Sequence, residues 1–113
     1  MHELGLTQSI VELAVEHAKR ENAVAIRSIT VEIGALSGVL ADAMEFAFDV
    51  CSKGTLAEDA RFEIRHIPGR GRCMECREES ELETLTHICP LCGSLALETI
   101  QGQEMKFTEM EVD

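Results

Sequence analysis

Four cysteines fall as Cys73-Met74-Glu75-Cys76 and Cys89-Pro90-Leu91-Cys92: a C-x2-C pair, twelve residues, and a second C-x2-C pair. Two residues between cysteines let a tight turn aim both sulfurs at one point. Two such turns complete a tetrahedron of thiolates about 2.3 Å from a zinc ion. Gly93, directly after Cys92, lets the backbone turn beneath the metal. Four thiolates fill the coordination shell, so the spacing predicts a closed, structural zinc site at Cys73, Cys76, Cys89 and Cys92. Iron is the rival in a tetrahedral set of four sulfurs, and visible absorption separates the two. The pairs read as turns, not as a helix start that would activate a thiol, which argues against a redox dithiol.

A second donor cluster stands at Met1-His2-Glu3. The Met1 amino nitrogen, the His2 backbone nitrogen and the His2 imidazole can close fused chelate rings around one small cation. A near-planar nitrogen set suits Ni(II) or Cu(II) better than zinc, which prefers a tetrahedron.

The remaining donors read more plainly. His17 shares helical spacing with Ile10 and Leu13 and is expected to be partly buried and hydrogen-bonded. His66 shares parity with Phe62 and Ile64 near a strand end. His87, two residues before Cys89, is expected to be exposed or to lie just behind the metal ligands. Asp42, Glu45 and Asp49 read as the solvated face of a helix, and Cys51 as a small core residue. No nucleophile elbow, phosphate loop or HExxH pattern is present, so the chain is read as not an enzyme.

The elements that must position these groups follow from periodicity. Leu4 to Arg20 reads as an amphipathic helix with Leu6, Ile10, Leu13, Ala14 and His17 on one face. Ser28 to Ile33 alternates as a strand, with Ile29, Val31 and Ile33 on one side. Leu40 to Ser52 reads as a second helix burying Leu40, Met44, Ala47, Phe48 and Cys51, ended by Gly54. Arg61 to Ile67 reads as a strand. Pro68-Gly69-Arg70-Gly71-Arg72 reads as a linker. Leu95 to Ile100 and Met105 to Val112 read as further strands, the last with a parity change near Thr108 that suggests a bulge. That closing strand is expected to pair with the first two.

The expected fold is α+β. A small sheet of three strands with two helices spans 1–67 and 103–113, and a four-cysteine zinc-ribbon module is inserted at 68–102.

Composition sets the limits. The chain has 113 residues, 45% of them apolar but only 4% aromatic, so it can build one modest aliphatic core and a second would be thin. A small module of that kind needs a staple such as a metal. The net charge is −11, with 21 acidic against 10 basic residues. That argues against nucleic acid, whose phosphates need Lys and Arg, and against anionic membrane surfaces. Glu75, Glu78, Glu79, Glu81 and Glu83 against Arg77 make the cysteine segment acidic as well. No apolar run approaches the roughly 20 residues of a membrane helix, and no secretory signal is visible. The chain reads as cytoplasmic, where cysteines bind metal more often than they form disulfides.

Taken together, Met1-His2-Glu3, Val31-Glu32-Ile33-Gly34-Ala35-Leu36-Ser37, the two C-x2-C pairs and the tail Gln103-Glu104-Met105…Glu109-Met110-Glu111-Val112 closely resemble the HypA/HybF nickel-insertion proteins of [NiFe]-hydrogenase maturation. The resemblance covers essentially the whole chain. It implies a metallochaperone that binds Ni(II) transiently at its N-terminal MHE and assists insertion into the hydrogenase large-subunit precursor. It implies a HypB-type GTPase as partner. Carried onto these residues, nickel falls to His2, with Met1 and Glu3, and zinc to Cys73, Cys76, Cys89 and Cys92. Asp42 and His87 are nearby candidates for a further nickel ligand and are assigned to neither metal. A homodimer is compatible with the sequence. The competing reading is a zinc-ribbon interaction module with no nickel role.

Overall fold

The computed structural model describes residues 2–113. The elements run α1 (His2–Arg20), β1 (Ile26–Gly34), α2 (Ala41–Cys51), β2 (Arg61–Ile67), β3 (Gly69–Cys73), β4 (Glu79–Leu82), β5 (Leu97–Gln101) and β6 (Met105–Val112). They form two three-stranded sheets, ordered β2-β1-β6 and β4-β3-β5. The closing strand β6 therefore pairs with the early strands, as the fold class predicts. The chain divides into two compact units: Met1–Val31, Val39–Arg65 and Lys106–Asp113, and then Glu32–Gly38 with His66–Met105. Among the described residues no helix is long and apolar enough to cross a membrane.

In the first unit, α1 buries Thr7, Ile10, Val11, Ala14 and Ala18. This stripe is rotated from the expected one. Leu13 is 43% exposed, and His17 is exposed and hydrogen-bonded to Arg20 at 3.2 Å. Ala14 and Ala18 lie fully buried on this stripe while the larger Leu13 does not. Thr7 can be buried because its hydroxyl donates to the Glu3 carbonyl at 2.7 Å. Asn22 then takes a left-handed φ of 58° and ends the helix.

Helix α2 buries Met44, Ala47 and Phe48, and Phe48 stacks on Phe62 with centroids 4.6 Å apart. Leu40, expected in this core, is exposed; what it contributes is backbone. Cys51 is half-buried rather than a core residue. Asp42, Glu45 and Asp49 face solvent as expected.

Strand β1 is the central strand of its sheet, and residues on both its faces are buried: Ile29 and Val31 on one, Ser28 and Thr30 on the other. Ser28 meets this burial by donating to Glu111 Oε1 at 3.0 Å. In β2, Phe62 and Ile64 are half-buried while His66 is exposed. The half-buried residues of β6 are Phe107, then Met110 and Val112, so the parity changes within the strand.

The second unit corrects the linker reading. Gly69–Cys73 is the central strand of a sheet, antiparallel to both β4 and β5. Gly69, Gly71 and Cys73 point inward, while Arg70 and Arg72 point outward to Glu79. The glycines serve close approach. A Cβ at Gly71 would stand 2.9 Å from Leu82 Cδ1, and one at Gly69 would stand 2.8 Å from Leu36 Cδ1. The core is small: Leu36, Leu82 and Leu97 with Cys73 and Cys89, and Cys76 packed beside them. Leu36 is held there because its N–H donates to the Gly102 carbonyl at 2.7 Å, and Ala35 N–H donates to the Ile67 carbonyl at 2.8 Å.

Candidate metal centres

The two C-x2-C turns are built alike. In the first, Cys73 N–H donates to the Glu78 carbonyl (3.0 Å) and Arg77 N–H to the Cys73 carbonyl (2.9 Å). In the second, Cys89 N–H donates to the Ser94 carbonyl (2.8 Å) and Gly93 N–H to the Cys89 carbonyl (2.9 Å). Each closes on a left-handed residue directly after its last cysteine, Arg77 with φ 67° and Gly93 with φ 77°. The glycine is legible in the sequence, whereas nothing about Arg77 announces the same role. Amides of Glu75 and Cys76 donate to Cys73 Sγ, and that of Leu91 to Cys89 Sγ, each at 3.4 Å.

These turns bring all four predicted cysteines together, their sulfurs within 4.8 Å of one another. Cys73 and Cys92 stand 3.7 Å apart, and Cys76 and Cys89 3.8 Å apart. A tetrahedron with metal–sulfur bonds of about 2.3 Å has edges near 3.8 Å, whereas a disulfide needs about 2.05 Å. The spacing is that of four ligands around one ion.

The electrostatics agree. The Cys76 amide, with that of Glu75, draws the Cys73 thiol down to about 6 despite its burial. The Cys92 amide, with that of Leu91, likewise lowers Cys89. The Glu78 amide pulls on Cys76, but burial and the neighbouring Cys73 and Cys89 sulfurs prevail and push it up to about 12. Cys92 is raised in the same way against the pull of the Ser94 amide. The crowded sulfurs thus shift one another in opposite directions. A divalent ion removes that conflict and lets all four ionise.

At the other candidate site, His2 is exposed and its Nε2 lies 3.5 Å from Glu3 Oε2. Glu3 is only 8% exposed. Its carboxylate accepts the Leu40 N–H at 3.0 Å, and that bond, with one from its own amide, holds the carboxyl below the usual carboxylate range. The sequence marks Glu3 as a donor but carries no sign of this structural bond. Met1 lies outside the described residues. Asp42 and His87 are both exposed, and among the described residues the clustered metal-ligating groups are the four cysteines alone.

Similarity to known proteins extends across these features. The family model described as "Hydrogenase/urease nickel incorporation, metallochaperone, hypA" matches residues 1–112. A hydrogenase maturation factor HypA of Trichodesmium erythraeum (strain IMS101) is 50% identical over 113 residues, covering 100% of this chain and 96% of that protein. One from Geobacter metallireducens is 41% identical with complete coverage of both, 100% each. Among solved structures, a HypA solution structure superposes with a TM-score of 0.73 at 27% identity, covering 99% of this chain and 96% of that one. The Ni metallochaperone HypA from Helicobacter pylori gives 0.67 at 27% identity, covering 97% and 96%. With its paired cysteine turns, its helix-led α+β unit and a match along its whole length, this chain belongs to the HypA family of nickel metallochaperones in hydrogenase maturation.

Proposed function

We propose that this chain binds Ni(II) at His2 and assists its insertion into the [NiFe]-hydrogenase large-subunit precursor, in the cytoplasm and with a HypB-type GTPase as partner. The observation that carries this reading is the family match over residues 1–112, which includes the Met1-His2-Glu3 donors. The His2 imidazole, the His2 backbone nitrogen and the Met1 amine supply nitrogen ligands that favour a near-square ion. Glu3 adds negative charge that offsets the positive end of the α1 dipole. The first amides of a helix have no intrahelical acceptor, so a metal can use them without breaking the helix. Release is supported by position, because His2 is exposed in the first turn of α1.

The four cysteines are proposed to hold zinc, which supplies no chemistry beyond cross-linking two turns of a unit with a small core. On this reading 1–67 and 103–113 make the nickel domain, and 68–102 the zinc domain.

Elemental analysis with nickel titration of the untagged chain, compared with His2→Ala, tests the proposal. The expected result is bound zinc in both and tight nickel in the wild type alone. Equal nickel affinity in the two removes His2 from the site. Absence of nickel binding by the wild type favours the reading of a zinc-ribbon interaction module.

A further inference from the structure

In the first unit an open groove of about 670 Å³ runs between α1 and α2; it begins at Leu4, just after Glu3, and no candidate metal ligand lines it. Leu4, Val11 and Val15 of α1 and Val50 and Cys51 of α2 make it apolar. Apolar surface continues outside it: Phe46, one turn before Val50, is 71% exposed. A contiguous exposed apolar face of this kind on a small acidic protein marks a contact surface.

Charge selects the occupant. Glu12 and Glu16 border the groove one helical turn apart, a like-charge pair that the exposed Glu16–Arg20 contact at 3.8 Å offsets only in part. Asp42, Glu45 and Asp49 stand exposed on α2, which has no basic residue in its last turn. Among the described residues that line the groove, Lys19 is the cation. A second copy of a chain with net charge −11 would bring acid against acid. A basic partner gains in both encounter rate and fit. Leu4 and Lys19 mark the ends of the α1 side, and at 1.5 Å per residue that length is roughly 22 Å, or about four helical turns. Such a groove takes an amphipathic helix with anchors at i, i+3 or i+4, and i+7.

We propose that the α1–α2 groove is a docking site for a lysine- and arginine-bearing amphipathic helix of a partner protein. The site needs neither metal, so loss of nickel binding in His2→Ala leaves it standing. Cys51 provides a local reporter: with the four clustered cysteines occupied by metal, its half-buried thiol is the free one.

The test uses the zinc-loaded full chain and a designed peptide of about 18 residues, four to five turns. It carries leucines on one face and lysine or arginine elsewhere. A control twin replaces the basic residues with glutamate. The basic peptide is expected to bind by fluorescence anisotropy and to suppress maleimide labelling of Cys51. Its affinity should fall about tenfold in the Glu12→Lys/Glu16→Lys variant, less in Glu12→Gln/Glu16→Gln, and also in Val50→Ser. The acidic twin should not bind. Unchanged Cys51 labelling at saturating basic peptide overturns the proposal, as does equal affinity for the charge-reversed variant or the acidic twin. Cys51 protection that grows with protein concentration alone would also overturn it, by showing that the groove takes a second copy.

Discussion

The Glu3 carboxylate accepts the Leu40 backbone N–H at 3.0 Å, joining the first turn of α1 to the start of α2. Leu40 precedes a helix that has no side-chain cap, so this bond comes from a residue 37 positions earlier in the chain. Glu3 thus has a structural task of its own, one lone pair of Oε2 being engaged by Leu40. Glu3→Gln should therefore lower the urea midpoint of unfolding while leaving much of the nickel affinity. A variant with unchanged stability and no nickel binding would place Glu3 in the coordination shell instead.

The same bond has a pH signature. Because the folded Glu3 pKa is lowered, its stabilisation is present above the unfolded carboxyl range. It is lost as pH falls through the folded value. Wild type should lose this increment on acidification, and Glu3→Gln should lack that part of the slope. Parallel stability–pH curves for the two proteins would contradict the assignment.

Nickel binding should weaken with acidity for a separate reason, since the amine and imidazole must shed protons before they ligate. Isothermal titration at mildly alkaline and mildly acidic pH measures this. An N-terminal extension that removes the free amine should impair binding about as strongly as His2→Ala. Undiminished affinity in the extended chain would exclude the Met1 nitrogen.

The paired cysteine turns give a prediction from backbone strain. Arg77 holds a left-handed φ of 67° where the equivalent turn has Gly93. This conformation costs a non-glycine residue about 1 kcal/mol or more. Arg77→Gly should stabilise the metal-loaded protein by up to about 1 kcal/mol, whereas Gly93→Ala should destabilise it by a similar amount. Thermal midpoints in the presence of excess zinc give the comparison, and matching shifts of the same sign would refute it.

Much of this architecture is legible from residues. Arg61–Ile67 alternates clearly, Met105–Val112 alternates with a change of parity, and the predicted bounds of both are those observed. The cysteine spacing predicts the cluster because two short turns have few ways to aim four sulfurs. The failures share a cause. Gly69 and Gly71 read as chain breakers, yet Gly-Arg-Gly-Arg-Cys is a period-two pattern whose inward members are small because Leu36, Leu82 and Leu97 lie against them. Glu79–Leu82 escapes a reading by periodicity because its outward glutamates hide the alternation that buries Leu82. Periodicity places Ile10 and Ala14 of α1 correctly but misses Ala18, because Leu13 outweighs it on a hydrophobicity count. In each case the packing partner, distant in sequence, decides what a small residue means. The Glu3–Leu40 bond is equally hidden, since no local pattern predicts a contact across the intervening strand.

The thin core around β3 has one more consequence. With Leu36, Leu82 and Leu97 as its aliphatic content and Cys73 and Cys89 completing it, the second unit's folding becomes a matter of mass action on the proposal that the cysteines hold an ion. Each tenfold rise in free ion above the dissociation constant adds about 1.4 kcal/mol to the folded state. On the proposed metal assignment, the population of folded β3–β5 sheet would be a thermodynamic readout of how much metal its surroundings hold.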